Sequence, residues 1–399
     1  MRHVVPALTI LLALVGTTHT YLWARLVRDA ALPSPWYQLT SLALGLLALS
    51  MPAALLLLRG RTHGLGRLLG WVAFTWMGLF FLLLMMLLSS DLLRLLAWPL
   101  QAWQLGGQPP DLARRQLLAR VIAAGVAGGG ALAAGLGMRT ALRGPRQVDV
   151  SLTLARLPAA LDGLRIVQIS DLHVATLLGR SYVEQVVSQT LALAPDLIVL
   201  TGDMVDGTVA QLASAVAPLA RLRAPCGVFM CTGNHEYYSG VEAWLEHFRS
   251  LGIKPLHNER VAVGRDGASF DLAGIDDFNS AGMAPGHGPD LARAVAGRDP
   301  SRALVLLAHQ PRHIDLACAH GVDLMLSGHT HGGQIFPFAY LVRLVQPFVA
   351  GRGRQGDTQI YVSRGTGYWG PPMRLGAPPE LTHIRLGSPG QGRVSGGPA

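Results

Sequence analysis

Residues 164–173 read LRIVQISDLH, an apolar run that ends in an acidic side chain and a histidine. The run 164–170 has the pattern of a buried strand, because apolar residues dominate it and β-branched residues recur. Asp171 and His173 are two positions apart, so on an extended chain their side chains point to the same side. The segment therefore predicts a buried strand that places two candidate metal ligands at its carboxyl end.

Four later apolar runs end in the same way, each followed by Asp, Asn or His. These runs are 197–201, 227–232, 303–308 and 322–326. The side chains that follow them are Asp203, Asp206, Asn234, His235, Glu236, His309, His329 and His331. In layered α/β domains functional residues collect at the carboxyl ends of strands, so one common site is expected.

Helical spacing separates these runs. Residues 181–194, 209–222 and 241–251 place apolar side chains on one helical face, and two more strands are expected at 270–275 and 359–363. Strands that alternate with helices indicate an α/β layered domain.

The clustered side chains suit a pair of metal ions. Imidazoles and carboxylates together favour Zn, Mn or Fe, and a carboxylate can bridge two cations. Two metals clamp the attacking and leaving oxygens of a phosphoryl displacement and generate hydroxide near neutral pH. A single motif of this kind is more often structural, but five in order predict a two-metal phosphoester hydrolase.

The ordered set resembles the calcineurin-like metallophosphoesterase superfamily, whose pattern is D-x-H, GD-x-x-D, GNH[DE], a lone H and GH-x-H. All five blocks are present between about Arg165 and Leu386. The resemblance implies a four-layer αββα sandwich. It also implies that two divalent metal ions (Mn, Fe or Zn) are the cofactors.

The resemblance implies a role for each residue by position. Asp171, His173 and His331 would hold the first metal. Asn234, His309 and His329 would hold the second, and Asp203 would bridge the two. His235 would contact phosphate and protonate the leaving group, and Asp206 and Glu236 would orient the ligands.

Two C-terminal stretches indicate which branch of the superfamily the sequence resembles. His331 is followed by Gly332–Ile335, and YVSRG at 361–365 leads to Pro378, Pro379 and Glu380. Both look like the membrane-associated bacterial branch, which includes enzymes similar to UDP-2,3-diacylglucosamine pyrophosphatases. A lipid-linked phosphodiester or pyrophosphate is therefore the expected substrate.

The N-terminal part has a different composition. The chain has 399 residues, of which 50% are hydrophobic and 14% charged, a balance that suits membrane segments. Four apolar runs at about 4–26, 37–58, 68–88 and 117–138 are each long enough to cross a bilayer. We expect a four-helix transmembrane region over 1–140, a phosphoesterase domain over 141–386 and a disordered tail over 387–399.

The charge distribution bears on topology and partners. Residues 1–146 hold 13 Arg and three acids, so the net charge of +9 belongs to the apolar part. A nucleic-acid-binding surface is not indicated, since residues 147–399 are near neutral. With the N-terminus inside, seven inner arginines stand against five outer ones, which favours a cytoplasmic catalytic domain in the cell membrane.

An apolar stretch follows the last site block. Residues 336–350, FPFAYLVRLVQPFVA, predict either a buried helix or a flap on the bilayer beside the site, with Arg343 at the interface. Two other functions remain open. One is a tethered phosphodiesterase for soluble nucleotide diesters, and the other is a non-catalytic membrane sensor or transport component.

Overall fold

The computed structural model describes residues 4–57, 64–104 and 111–389. The chain divides into two compact units: Met1–Arg139 with Gly370–Leu375, and Thr140–Trp369 with Gly376–Ala399. The first is helical and the second is an α/β unit. The expected tail at 387–399 lies outside the described residues except at its start, where Gly387 ends the last strand.

Long helices make up the first unit. They are α1 (Val4–Trp23), α2 (Trp36–Leu57), α3 (Leu65–Gln104) and α4 (Leu112–Leu142). Within the described residues, three stretches are long and apolar enough to cross a membrane: Trp36–Ala54, Leu65–Leu100 and Leu112–Leu142. The predicted spans at 37–58, 68–88 and 117–138 fall on these three. The span predicted at 4–26 forms a helix but stays a prediction.

Helix α3 is longer than the sequence pattern indicated. The pattern predicted that the span over 68–88 would end at residue 88. Instead one helix runs from Leu65 to Gln104. Asp91 lies inside it and accepts a hydrogen bond from the hydroxyl of Tyr21 (2.7 Å) and pairs with Arg25. Because its charge is matched within the unit, Asp91 does not have to end the helix.

In the described part of the second unit, twelve strands form two six-stranded mixed sheets. The first sheet has the order β1, β12, β2, β3, β4, β5, with the bounds Arg146–Thr153, Glu380–Gly387, Leu164–Ile169, Leu197–Thr201, Val228–Cys231 and Lys254–Pro255. The second sheet has the order β10, β11, β9, β8, β7, β6, with the bounds Gly351–Gln355, Thr358–Val362, Leu324–Ser327, Leu304–Leu307, Ala268–Gly274 and Glu259–Arg265.

Within residues 140–389, seven α-helices accompany the sheets. They are α5 (Arg180–Ala192), α6 (Val209–Val216), α7 (Asn234–Ser239), α8 (Val241–Ser250), α9 (Leu291–Ala294), α10 (Ile314–Ala319) and α11 (Ala339–Val342).

Three buried apolar clusters define the layers. One joins inner faces of both sheets, for example Val199 of β3 with Val305 of β8. A second packs α5, α6 and α8 on the first sheet, and the third packs α9 and α10 on the second sheet. The unit is thus layered helix, sheet, sheet, helix, because each sheet buries both faces. The parallel strands β2, β3 and β4 lie side by side, as do β8 and β9.

The apolar stretch after the last site block is exposed. Helix α11 buries no side chain, and Leu344 is 79% exposed. The other exposed apolar side chains of the stretch are Phe336, Phe338, Tyr340, Leu341 and Val345. The buried-helix interpretation of 336–350 is therefore wrong, because α11 has only four residues and packs no side chain into a core.

Candidate metal centre

Five residues at the strand ends share an unusual backbone. Asp171, His173, Asp203, His329 and His331 all have positive φ angles, between 49° and 71°. L-residues rarely adopt this left-handed conformation, which costs free energy and is retained mainly at functional sites. The sharp turns aim the side chains into one place at the carboxyl ends of the strands.

The first cluster joins the ends of β2 and β9. Ligand atoms of Asp171, His173 and His331 lie within 4.8 Å of one another. The Nε2 atoms of His173 and His331 are 3.0 Å apart, and Nε2 of His331 is 3.6 Å from Oδ1 of Asp171. Two imidazole nitrogens and a buried carboxylate facing one point make a mixed donor set for a divalent transition metal.

A second cluster lies beside it. Asp203, His309 and His329 also meet within 4.8 Å. Nε2 of His309 is 3.1 Å from Oδ2 of Asp203, and Nδ1 of His329 is 3.2 Å from Nε2 of His309. The Nδ1 atom of His309 donates to the carbonyl oxygen of Thr201 at 2.7 Å, which turns Nε2 toward the cluster.

Asp203 connects the two clusters. Its Oδ2 atom is 3.1 Å from Nε2 of His309 and 3.8 Å from Nε2 of His173. A third group that could hold a metal, His173 with Asp203 and His235, overlaps both. One carboxylate thus lies between two sets of imidazoles, which is where a bridging ligand must be.

The amide of Asn234 supplies a test of fit for a metal. Its Oδ1 atom is buried and, among the described residues, has no hydrogen-bond partner. A buried amide oxygen without a partner is costly, and a cation would satisfy it. Asn234 can lie close to Asp203 because the residue before it is Gly233. A Cβ atom at position 233 would lie only 2.6 Å from the backbone nitrogen of Asp203. The donor set therefore fits two divalent cations.

Asp206 holds two imidazoles at once. Its Oδ1 atom is 3.0 Å from Nδ1 of His173 and 2.6 Å from Nδ1 of His235. Each ring therefore presents its Nε2 atom away from Asp206, and Nε2 of His235 lies 4.0 Å from Oδ2 of Asp203. A carboxylate that receives the outer N–H fixes the tautomer and orientation of the ring.

Glu236 stabilises the backbone around Asp203. Its buried carboxylate accepts hydrogen bonds from the backbone nitrogens of Gly233, Asp203 and Met204, at 2.7, 2.9 and 2.7 Å. The carboxylate thereby ties the turn after β3 to the turn after β4. Burial and the neighbouring Asp203 raise the pKa of Glu236 to about 7.

Burial and charge set the protonation of two histidines differently. Burial, together with the nearby His309, lowers the pKa of His329 to about 3. A neutral imidazole has a lone pair for a metal, so His329 is suited to ligation at neutral pH. Burial also opposes the charged form of His235, but the carboxylates of Asp203 and Asp206 outweigh it and raise its pKa to about 9.

Two aromatic side chains beside His235 were not identified from the sequence. The ring centroids of Tyr238 and Trp369 lie 5.2 and 5.8 Å from that of His235, and both side chains are exposed. Gln334 holds the backbone of Trp369 on both sides, accepting from its nitrogen at 3.0 Å and donating to its oxygen at 2.8 Å. In the sequence, the pair Tyr368–Trp369 is conspicuous because glycines flank it. It lies far from His235 along the chain, so the sequence does not indicate that Trp369 contacts His235.

The structure therefore brings every residue of the five blocks to one place. Nine of the ten site residues lie in the overlapping clusters or directly beside them: Asp171, His173, Asp203, Asp206, Asn234, His235, His309, His329 and His331. His329 completes the second cluster, and Glu236 lies beneath it in the backbone turns. Their individual roles as ligand or acid remain predictions.

Comparison with known proteins agrees with this class of site. Residues 164–333 match the calcineurin-like phosphoesterase family. A Bacillus subtilis protein named as an uncharacterized metallophosphoesterase is 31% identical over 289 residues, which are 69% of this chain and 98% of that protein. The chain belongs to the calcineurin-like phosphoesterase family.

Two vertebrate relatives carry the name transmembrane protein with metallophosphoesterase domain. The Danio rerio protein is 42% identical over 63% of this chain and 59% of its own length. The Bos taurus protein is 38% identical over 73% of this chain and 68% of its own length. The chain thus spans about three fifths of the Danio rerio relative. It shares with both a metallophosphoesterase domain, and it has three apolar helices that could cross a membrane.

Proposed function

We propose that the protein is a membrane-bound hydrolase that uses two divalent metal ions to cleave a phosphodiester or pyrophosphate bond. The observation that carries the proposal is the position of Asp203 between two imidazole-rich clusters. Mn, Fe and Zn all accept this donor set. The bound metals would supply a hydroxide nucleophile and neutralise phosphate charge.

The residues divide into ligands and an acid. Asp171, His173 and His331 would hold one cation, Asn234, His309 and His329 would hold the other, and Asp203 would contribute to both. The Nδ1 atom of His235 faces Asp206, so its Nε2 atom holds the proton that passes to the leaving oxygen. Asp206 and Glu236 orient this arrangement.

Substitution of the shared ligand tests the proposal. Asp203→Asn keeps the size of the side chain but removes its charge, and hydrolysis of an aryl phosphodiester should fall by at least about 100-fold. Asp149→Asn is a matched control, because Asp149 pairs with His383 (2.8 Å) outside the clusters. Equal turnover by wild type and Asp203→Asn would contradict the proposal.

We further propose that the substrate is lipid-linked, with a UDP-2,3-diacylglucosamine-like molecule as a candidate. The apolar flap, defined as residues 336–345, supports this. It begins five residues after His331 and exposes six large apolar side chains. Exposed apolar surface of this kind favours contact with a bilayer or an acyl chain, and Arg343 beside Tyr340 (5.8 Å) suits the headgroup level.

Comparison of two substrate classes tests the lipid proposal. In a Leu341→Ser and Leu344→Ser double variant, turnover of a lipid pyrophosphate in mixed micelles should fall by about tenfold, because an apolar contact is lost. Hydrolysis of a soluble aryl diester should not change. Met283→Ser is the control, since Met283 is also exposed but outside the flap. If the wild type turns over only soluble nucleotide diesters, the tethered phosphodiesterase is the correct function.

The arrangement in the membrane is also a proposal. We infer four spans, with α1 added to the three apolar helices, and boundaries near residues 140 and 386 for the phosphoesterase domain. The arginine distribution favours the cell membrane with the domain in the cytoplasm. A non-catalytic sensor would lack metal ligands, and none of the family's ligand positions is altered here.

A further inference from the structure

A further histidine–carboxylate cluster shares no residue with the clusters of the metal centre. Ligand atoms of His257, Asp276 and His287 are within 4.8 Å of one another. Nδ1 of His257 is 2.6 Å from Oδ1 of Asp276, and Nδ1 of His287 is 3.3 Å from Oδ2. Two imidazoles and one carboxylate that face one point are donors that divalent transition metals accept.

The cluster is largely removed from solvent. The side chains of Asp276 and His287 are 1% and 3% exposed, while that of His257 is 23% exposed. A buried carboxylate is costly unless it is paired or bound to a cation. The partial exposure of His257 gives the cluster a side that is open to water, through which an ion would enter.

Outer contacts orient the donors before any ion binds. Nε2 of His287 is 2.8 Å from the carboxylate of Glu242, which leaves Nδ1 facing Asp276. An outer carboxylate on the far nitrogen is the arrangement that orients metal-bound histidines. Oδ2 of Asp276 accepts from the backbone nitrogen of Gly288 at 3.0 Å, and Asn258 donates to the Gly288 carbonyl at 2.8 Å.

We propose that His257, Asp276 and His287 bind a divalent transition-metal ion of the Zn²⁺ type, in addition to any ions in the metal centre. The ion would join the segment after β5, the end of β7 and the loop that contains His287. This inference does not rest on the proposed function, because it concerns different donors.

The site has a structural consequence for the metal centre. The hydroxyl of Tyr237 lies 3.0 Å from Nδ1 of His287 and 3.3 Å from the hydroxyl of Thr232. Tyr237 is on α7, the helix that begins at Asn234. Because Nδ1 of His287 has one lone pair, an ion bound there would take the place of the Tyr237 hydroxyl, which would keep its contact with Thr232. The ion would therefore change the surroundings of α7 without taking part in catalysis.

Metal content measures the proposal directly. The full chain, purified in detergent and equilibrated with Zn²⁺, is compared with His257→Gln and Asp276→Asn by inductively coupled plasma mass spectrometry. Each variant should contain about one metal ion fewer per chain, because a site that loses one of three protein ligands loses most of its affinity. Asp276→Asn keeps an oxygen acceptor for Gly288.

His383→Gln is the matched control. His383 also places Nδ1 beside a carboxylate, 2.8 Å from Asp149, but it lies outside the clusters found among the described residues. Its metal content should equal that of the wild type. Equal metal content in wild type and in folded His257→Gln and Asp276→Asn would overturn the proposal.

A second measurement covers the case in which the variants do not fold. An Asp203→Asn, His309→Ala and His331→Ala chain loses ligands of the metal centre but keeps His257, Asp276 and His287 intact. Saturable uptake of about one Zn²⁺ that raises the melting temperature would support the proposal, since ligands that bind only the folded state stabilise it. Absence of Zn²⁺ uptake in this chain would overturn it.

Discussion

At the scale of single residues, Asp206 has an effect out of proportion to its place in the motif. It is the last residue of the GD-x-x-D block, yet it contacts both His173 and His235. We expect Asp206→Asn to lower kcat by about 10- to 100-fold, because both rings lose the carboxylate that orients them. Steady-state kinetics with an aryl phosphodiester measure this. A change of less than twofold would contradict the role.

The protonation of His235 gives a pH prediction. Its pKa, raised to about 9, means that the ring holds its proton at neutral pH and loses it as the pH increases. Because bound cations would lower this pKa, kcat should fall at a pH above neutral and no higher than about 9.

Substitution of Asp206 gives the control for this pH profile. Asp206→Asn removes one source of the raised pKa, so the fall in kcat should shift to lower pH. An alkaline fall that is unchanged in Asp206→Asn, or that persists in His235→Ala, would show that another group titrates.

The candidate ligands could be predicted from the sequence because each follows an apolar run at a short, fixed spacing. Asp171, Asp203 and His329 could be placed in this way. The contact of Trp369 with His235 could not, because it depends on how a loop about 130 residues later returns to the site. The cluster of His257, Asp276 and His287 was missed for the same reason, since no two of its members share a short motif.

At the scale of elements, the core strands were predictable and the edges were not. Strand β3 was predicted as 197–201 and is found as Leu197–Thr201, since a short apolar run on a doubly covered sheet leaves little freedom. The four edge strands β1, β5, β6 and β10 were not predicted, and neither was the internal strand β12. β12 lies between β1 and β2, with one parallel and one antiparallel neighbour, and pairing of such distant segments leaves no local signal.

The close approach of two strand ends gives a stability prediction. In Gly233→Ala the added methyl would lie 2.6 Å from the backbone nitrogen of Asp203, and backbone cannot yield as a flexible side chain does. The free energy of unfolding should fall by about 1–3 kcal/mol, as for other overpacked sites. Metal affinity should fall with it, because Asp203 moves.

Gly125→Ala is the control for this prediction. It lies in α4, and an added methyl would meet nothing within 4 Å. The free energy of unfolding of each variant is measured by chemical denaturation, with the fluorescence of the full chain as the signal. Equal stability of Gly233→Ala and wild type would mean that the two turns are not packed as tightly as the structure indicates.

At the scale of the whole molecule, the apolar helices and the phosphoesterase domain lead to a prediction of topology. If the domain is cytoplasmic, green fluorescent protein fused to the C-terminus should fluoresce, and alkaline phosphatase fused there should be inactive. The positive-inside pattern is the physical reason, with seven inner against five outer arginines. The opposite pair of results would place the domain on the other face of the membrane.

Metal dependence tests the central claim most directly. The full chain is treated with a chelator, freed of it, and assayed on an aryl phosphodiester before and after Mn²⁺ is added back. The account predicts that the metal-free protein is inactive and that Mn²⁺ restores turnover in the wild type but not in Asp203→Asn. Full turnover by the metal-free protein would contradict it.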